Sequence, residues 1–139
     1  MIRRILIGFE GSEGSVKALR SGLHLAKLER AQCVVLTIIE LPRFPQVPSE
    51  TKEELEAATP VVKKLQEQAR AEAAREGVAI EVDSRTGHAA HDLVEYAKHG
   101  RFDLLVLGHR GHSGVWGMFL GTTADKIVRH ASCSVMVVR

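Results

Sequence analysis

Short apolar runs recur along the chain and predict five strands. The segment Arg4–Phe9, RILIGF, is too short for a typical helix and contains β-branched residues. Residues 33–40, CVVLTIIE, form a continuous apolar run, as expected for a central strand that is covered on both faces. Apolar residues alternate in 78–85, VAIEVDSR, which predicts a half-exposed strand. DLLVLG at 103–108 and SVMVV at 134–138 complete the set.

Apolar residues at helical spacing fill the intervals between these strands. The first helix follows the turn EGSEGS, where Ser12 or Ser15 is available as its N-cap. A long amphipathic helix is expected from about residue 50 to residue 76, and Gly77 is placed to end it. A short helix precedes the fourth strand, and a last helix is expected over 122–131.

The alternation of strands and helices predicts an α/β fold, with one open parallel sheet and helices on both faces. A length of 139 residues suits a single domain over 1–139. The segment LPRFPQVPSE, residues 41–50, contains three prolines and is expected to be a surface loop. Ligands of such sheets bind beyond the carboxyl ends of the strands. The loops after strands 1 and 4 would border one cleft if those strands are neighbours.

Composition and charge narrow the function classes. The chain is 45% hydrophobic and 26% charged, which is ordinary for a soluble globular protein. Its formal net charge is +2 and its basic residues are dispersed, so nucleic-acid binding is disfavoured. The start MIRRILIGFEGSEG lacks the apolar length of a signal peptide or a membrane span, which favours a cytoplasmic location. Cys33 and Cys133 lie beside or inside apolar runs without C-x-x-C spacing, and are expected to be reduced, packed thiols rather than a disulfide.

Glycines interrupt the apolar pattern after the fourth strand. Gly108 follows the last strand residue, and residues 121–123, GTT, open the next helix. Free N–H groups and the dipole at a helix start favour an anion, and His109, Arg110 and His112 could add donors. The segment matches neither the Walker A motif nor the dinucleotide fingerprint. It therefore predicts a phosphate-bearing ligand, with a simple flexible connection as the alternative.

The histidines raise a rival interpretation, a metal site. His88 and His91 are three residues apart, as are His109 and His112, and these pairs could bind a transition metal if they converged. No cysteine lies nearby and exposed positions are expected, so no metal site is predicted. Ser113 does not lie in a G-x-S-x-G elbow, so no hydrolytic triad or other catalytic residue is predicted either.

The spacing of the glycines is similar to a known motif. Gly108-2x-Gly111-9x-Gly121-Thr122 resembles the G-2x-G-9x-G-[ST] nucleotide-binding signature of the universal stress protein family. The stretches ILIGFEGSEGSVKAL, VLTIIE, TGHAAHDLVEYAKHGRFDLLVLG and IVRHASCSVMVV also resemble that family, so nearly the whole chain is covered. The resemblance implies a Rossmann-like sheet of the adenine nucleotide alpha hydrolase-like type, in strand order 3-2-1-4-5. ATP would lie between strands 1 and 4.

The resemblance and the loop chemistry together imply a cofactor-binding set at the strand ends and the last helix start. Its members are Gly8, Phe9, Glu10, Ile38, Leu107, Gly108, His109, Arg110, Gly111, Gly121, Thr122 and Thr123. The glycines and Thr122 would contact phosphate or ribose, assisted by Arg110 and Thr123. Ile38 would offer backbone groups to adenine. Glu10 stands where the family usually has Asp, and its extra methylene could change how the carboxylate meets ribose, base or Mg²⁺.

The resemblance, together with the loop chemistry, implies a dimeric stress-response sensor or regulatory module that binds ATP or another adenine nucleotide, alone or with Mg²⁺. Two alternatives are a slow Mg²⁺-dependent ATPase and an interaction module that binds no nucleotide, the latter disfavoured by the intact glycine motif. SVMVVR at 134–139 forms an edge strand with almost no charge, which soluble proteins usually cover. Pairing of Ser134 to Val138 with a second copy, as the resemblance also implies, predicts a homodimer.

Overall fold

The structure, a computed structural model, describes residues 1–40, 48–109 and 121–139, with side chains in the first turns of the long helix only at 52, 53 and from 56 onward. Strands and helices alternate through these ranges. They are β1 Arg4–Gly8, α1 Glu13–Glu29, β2 Gln32–Glu40, α2 Pro48–Glu76, β3 Ile80–Gly87, α3 Ala89–His99, β4 Leu104–Gly108, α4 Thr122–His130 and β5 Ser134–Val138.

The strands form a parallel sheet in the order β3-β2-β1-β4-β5, which confirms the predicted fold. β1 lies at the centre, and Ile5, Leu6 and Ile7 are fully buried. Ile5 and Ile7 pack with α1 and α2 on one face, while Leu6 packs with α3 and α4 on the other. Residues of a strand alternate between faces, so a continuous apolar run is what this doubly covered position requires.

The long helix corrects one boundary. α2 begins at Pro48, so Ser49 and Glu50 are helical and not part of a loop as predicted. Proline is tolerated in the first turn of a helix because the N–H that it lacks would have no partner there. Residues 41–47 lie outside the described ranges. The predicted end of the helix is confirmed, since α2 stops at Glu76 and Gly77 adopts a φ of +77°.

Local signals elsewhere agree with the structure. Ser12 is the N-cap of α1, where its hydroxyl accepts a hydrogen bond from the N–H of Ser15. Cys33 and Cys133 are free thiols, and burial raises the pKa of Cys33 to about 12.

In the part of the chain that the structure describes, no helix has the length and apolar character needed to cross a membrane.

A charged clamp fixes the second half of α2 against α1. Nε and Nη2 of Arg20 donate hydrogen bonds to the two carboxylate oxygens of Glu72, over 3.2 and 3.1 Å. The guanidinium of Arg75 lies 3.6 Å from the same carboxylate. Ala69 and Ala73 are buried beside this clamp. The hydrogen bond from Arg20 lowers the pKa of Glu72, although burial of the carboxyl group acts in the opposite direction.

Replacing Glu72 with Gln is expected to lower the melting temperature at neutral pH and to matter much less in acid. The folded pKa lies below the unfolded value of about 4.3, so the carboxylate stabilises the fold above that value. This stabilisation is lost as the pH falls through the folded pKa. Thermal unfolding of wild type and Glu72→Gln between pH 3 and pH 7 (about the range of carboxylate titration) measures the difference.

Glu67→Gln is the matched control, because Glu67 lies exposed on the same helix. It should leave the melting temperature nearly unchanged at every pH. A loss of stability in Glu72→Gln that does not depend on pH would contradict an electrostatic role for this clamp.

Candidate functional site

A cavity of about 610 Å³ opens at the carboxyl edge of the sheet, within the usual range for small-molecule sites. Its floor is formed by the ends of β1, β2 and β4. Its sides are formed by the start of α4, the first turns of α3 and the middle of α2. The order β2-β1-β4 makes the neighbouring strands 1 and 4 the place where the winding direction reverses.

Most of the sequence-predicted binding residues lie together in the wall of this cavity. Those in its lining are Gly8, Phe9, Glu10, Ile38, Leu107, Gly108, His109, Gly121, Thr122 and Thr123. Arg110 and Gly111 lie outside the described ranges, as do His112 and Ser113. The structure thus brings the described members of the set to one place, while their contacts with a ligand remain a prediction.

Gly108 has a packing role of its own. A Cβ atom at this position would lie 2.7 Å from the carbonyl carbon of Gly14 and 2.8 Å from its oxygen. These are backbone atoms at the start of α1, so a side chain could be accommodated only if the helix moved. Glycine at the end of β4 therefore lets α1 approach the sheet closely, independently of any ligand.

Gly121 is in a different situation at the start of α4. It is the N-cap, with φ −59° and ψ 154°, values that other residues also adopt. Its N–H donates to the carbonyl oxygen of His109 over 3.0 Å, and no side chain of its own caps the helix. The first N–H groups of α4, around Thr122 and Thr123, have no partner within the helix. They form the anion-attracting end of the helix dipole at the cavity wall.

His109 differs from the expectation of an exposed loop histidine. It is only 6% exposed, directly after the end of β4. Its N–H donates to the carbonyl oxygen of Val138, and its own carbonyl accepts from Gly121. These two backbone hydrogen bonds set the start of α4 against the ends of β4 and β5. In the part of the chain described, no three potential metal-ligating side chains cluster.

An acidic side chain lies on the rim of the cavity. Glu10 is exposed, and its carboxylate accepts a hydrogen bond of 2.7 Å from the hydroxyl of Ser12. Its backbone N–H donates to the hydroxyl of Ser15 over 3.4 Å. Both hydroxyls belong to the start of α1, so the turn that carries Glu10 is attached to the N-cap region of that helix. A carboxylate here suits hydroxyl groups or a cation and would repel phosphate.

The backbone of Ile38 also faces the cavity. Leu36 accepts a hydrogen bond of 3.0 Å from the N–H of Phe9, so the backbone groups of Leu36 point towards β1. Backbone direction repeats every two residues along a strand, so those of Ile38 point to the same side. β1 ends at Gly8, opposite Leu36, while β2 continues to Glu40. The N–H and C=O of Ile38 therefore lie side by side beyond the last ladder pair with β1.

The apolar half of the cavity lies away from the start of α4, and α2 supplies much of its lining. Ala58, Val61, Val62 and Leu65 line the cavity from α2, facing the end of β2. The sequence predicts a long amphipathic helix here but does not place its apolar face in a site. The helical spacing of the apolar residues is visible in the sequence, whereas the position of this face at the end of the sheet depends on the fold.

The chain is similar in sequence and in structure to known universal stress proteins. Universal stress protein YxiE of Bacillus subtilis is 33% identical over 150 residues, which span all of both chains. The solved structure of universal stress protein UspA from Lactobacillus plantarum superposes with a TM-score of 0.89 at 25% identity, covering 99% of this chain and 98% of that one.

Two further solved structures of the same fold contain nucleotides. A universal stress protein in complex with cAMP has a TM-score of 0.78 at 23% identity and covers 99% of this chain and 97% of its own. The universal stress protein from Archaeoglobus fulgidus in complex with dAMP has a TM-score of 0.69 at 18% identity, and the match covers 100% of this chain and 98% of that one.

The family assignment rests on the sequence matches. The model of the universal stress protein family matches residues 1–139. Since this match and the relative at 33% identity both extend over the whole chain, the protein belongs to the universal stress protein family.

Proposed function

We propose that the cavity binds ATP, or a closely related adenine nucleotide, and that the protein is a regulatory module of the cytoplasmic stress response. One observation carries this proposal. The same cavity joins an apolar half, beside the backbone groups of Ile38, to the start of α4, which no described side chain caps. A nucleotide has the matching division into a flat base and a charged phosphate group.

The end of β2 favours adenine as the base. The Ile38 backbone presents a donor and an acceptor side by side, and adenine carries a complementary pair, the N6 amino group and N7, along one edge. Guanine has two acceptors, N7 and O6, on that edge and would leave the carbonyl oxygen unpaired. The universal stress proteins that bind cAMP and dAMP are consistent with an adenine ligand.

The phosphates would lie at the start of α4. The N–H groups near Thr122 and Thr123 would donate to phosphate oxygens, with Gly121 allowing close approach. Arg110 and Gly111 complete the proposed phosphate-binding set. Glu10, on the rim, would contact ribose hydroxyls or a Mg²⁺ ion that accompanies the triphosphate.

Substitution of Gly121 separates fold from binding. Asp at this N-cap position should keep or slightly raise the melting temperature, because Asp caps helices at least as well as Gly. Its charge should lower the affinity for Mg-ATP at least about tenfold, since two like charges in the wall of a protein site repel by more than ~1.4 kcal/mol. Isothermal titration calorimetry of nucleotide-free protein measures both the affinity and the stoichiometry.

The Gly121→Asn variant is the control of nearly identical shape. It also caps the helix but adds no charge, so it should lose less affinity than Gly121→Asp. Equal affinity in wild type and both variants would show that α4 does not bind the phosphates. Failure of the wild-type protein to bind Mg-ATP at millimolar concentration (on the order of cellular levels) would contradict the proposed function.

The alternative of a slow ATPase is tested at Glu10. Hydrolysis needs a positioned water and a general base, and the Glu10 carboxylate is exposed and already accepts a hydrogen bond from Ser12. We expect ADP formation from bound Mg-ATP to be equally slow in wild type and Glu10→Gln. A measurable rate that disappears in Glu10→Gln would instead establish Glu10 as a catalytic base.

The regulatory proposal includes a homodimer through β5. Among the described strands, β5 pairs only with β4, and its residues are half-buried or exposed. The carbonyl oxygen of Val138 accepts a hydrogen bond from the N–H of His109, the residue that follows β4. The backbone groups of Val138, and of Met136 two residues earlier, therefore point towards β4. Those of Val135 and Val137 point away from the sheet. They offer a second copy an unpaired ladder.

Replacing Val137 with Pro is expected to convert the dimer to a monomer. Proline removes an outward-pointing N–H and leaves the ladder with β4 intact. Sedimentation equilibrium should give twice the monomer mass for wild type and for the control Val137→Thr, which keeps the N–H. Two results would contradict pairing through β5. One is a monomeric wild type at micromolar concentration, which is about the range of weak dimers, and the other is an unchanged dimer in Val137→Pro.

A further inference from the structure

The middle of α2 presents an apolar wall to the cavity. Ala58, Val61, Val62 and Leu65 follow one another at helical spacing, and all four line the cavity. The charged residues around them, including Lys63 and Lys64, are exposed and are not part of the lining. The described side chains of α2 that line the cavity therefore present hydrocarbon to a ligand.

The wall is held in a defined place relative to the rest of the site. Leu65 lies against Gly11, where a Cβ atom would be only 2.6 Å from Cδ2 of Leu65. Gly11 has a φ of +87° in the turn that also carries Glu10, a backbone conformation that favours glycine. Ala69, one turn further along, is buried, and the clamp between Arg20 and Glu72, two turns further along, fixes α2 to α1.

Within this wall, Val61 is incompletely covered. Val62 is buried, whereas Val61 is 59% exposed although it lines the cavity. A β-branched side chain gains free energy when its remaining surface is removed from water. Ile38 and Ile39, at the end of β2, line the cavity as well and add aliphatic surface near the backbone groups that favour adenine. A planar base between these side chains would cover Val61.

We propose that the α2 wall packs against the base of the bound nucleotide and that Val61 is a determinant of its affinity. The inference rests on the proposed nucleotide-binding function. It adds α2 to a site whose described motif glycines, Gly108 and Gly121, lie at the end of β4 and the start of α4. The chemistry that this wall recognises is a flat, largely apolar heterocycle rather than phosphate or sugar, because its side chains can neither donate nor accept a hydrogen bond.

The test compares Mg-ATP binding by wild type, Val61→Ser and Val61→Ile in calorimetry. Ser and Val have similar helix propensities, so Val61→Ser should fold with nearly the same melting temperature. Loss of the apolar contact should weaken Mg-ATP binding about three- to tenfold. Val61→Ile keeps the hydrocarbon surface and should bind within about twofold of wild type.

Leu28→Ser is the matched control, because Leu28 is 68% exposed on α1 and does not line the cavity. It should bind Mg-ATP as wild type does. If Val61→Ser also binds as wild type does, or if Leu28→Ser is weakened equally, the role of the α2 wall is refuted while nucleotide binding stands. If wild type itself does not bind Mg-ATP, both this inference and the proposed function fail.

Discussion

The unequal length of neighbouring strands at the centre of the sheet is the constraint on which the site depends. β1 stops at Gly8, opposite Leu36, while β2 continues to Glu40 in register with β3. This difference leaves a step at the carboxyl edge, where the backbone of Ile38 has no partner from β1. The turn after β1 and the start of α4 lie beside this step, so polar backbone groups and helix ends are concentrated at one place.

The two described glycines of the motif show that one amino acid serves two purposes here. Gly108 is required by the fold, since the start of α1 occupies the space that its side chain would need. Gly121 has a backbone conformation open to other residues, so its dihedral angles do not explain the absence of a side chain. Under the proposed function, the reason is access of an anion to the first N–H groups of α4. The fold and the proposed function therefore constrain different glycines of the same motif.

Much of the fold could be predicted from the sequence, because apolar periodicity reports local structure directly. β5 has the predicted bounds, and Gly77 ends α2 as expected. The predicted start of α2 was wrong, because a proline-rich segment predicts a loop whereas Pro48 fits the first turn of the helix. The burial of His109 and the position of the α2 wall at the cavity were not predicted, because both depend on how segments distant in sequence come together. A periodic apolar face looks the same whether it covers a sheet or a ligand.

The most direct test of the account is to follow backbone amide signals by NMR while Mg-ATP is added to nucleotide-free protein. The central claim is that one ligand occupies both halves of the cavity. The amide signals of Ile38 and of Thr122 and Thr123 should therefore shift together, with one dissociation constant, while Ala31 at the opposite edge of the sheet stays unchanged. If the signals of α4 move and that of Ile38 does not, or if neither moves, the account of this cavity as an adenine nucleotide site is contradicted.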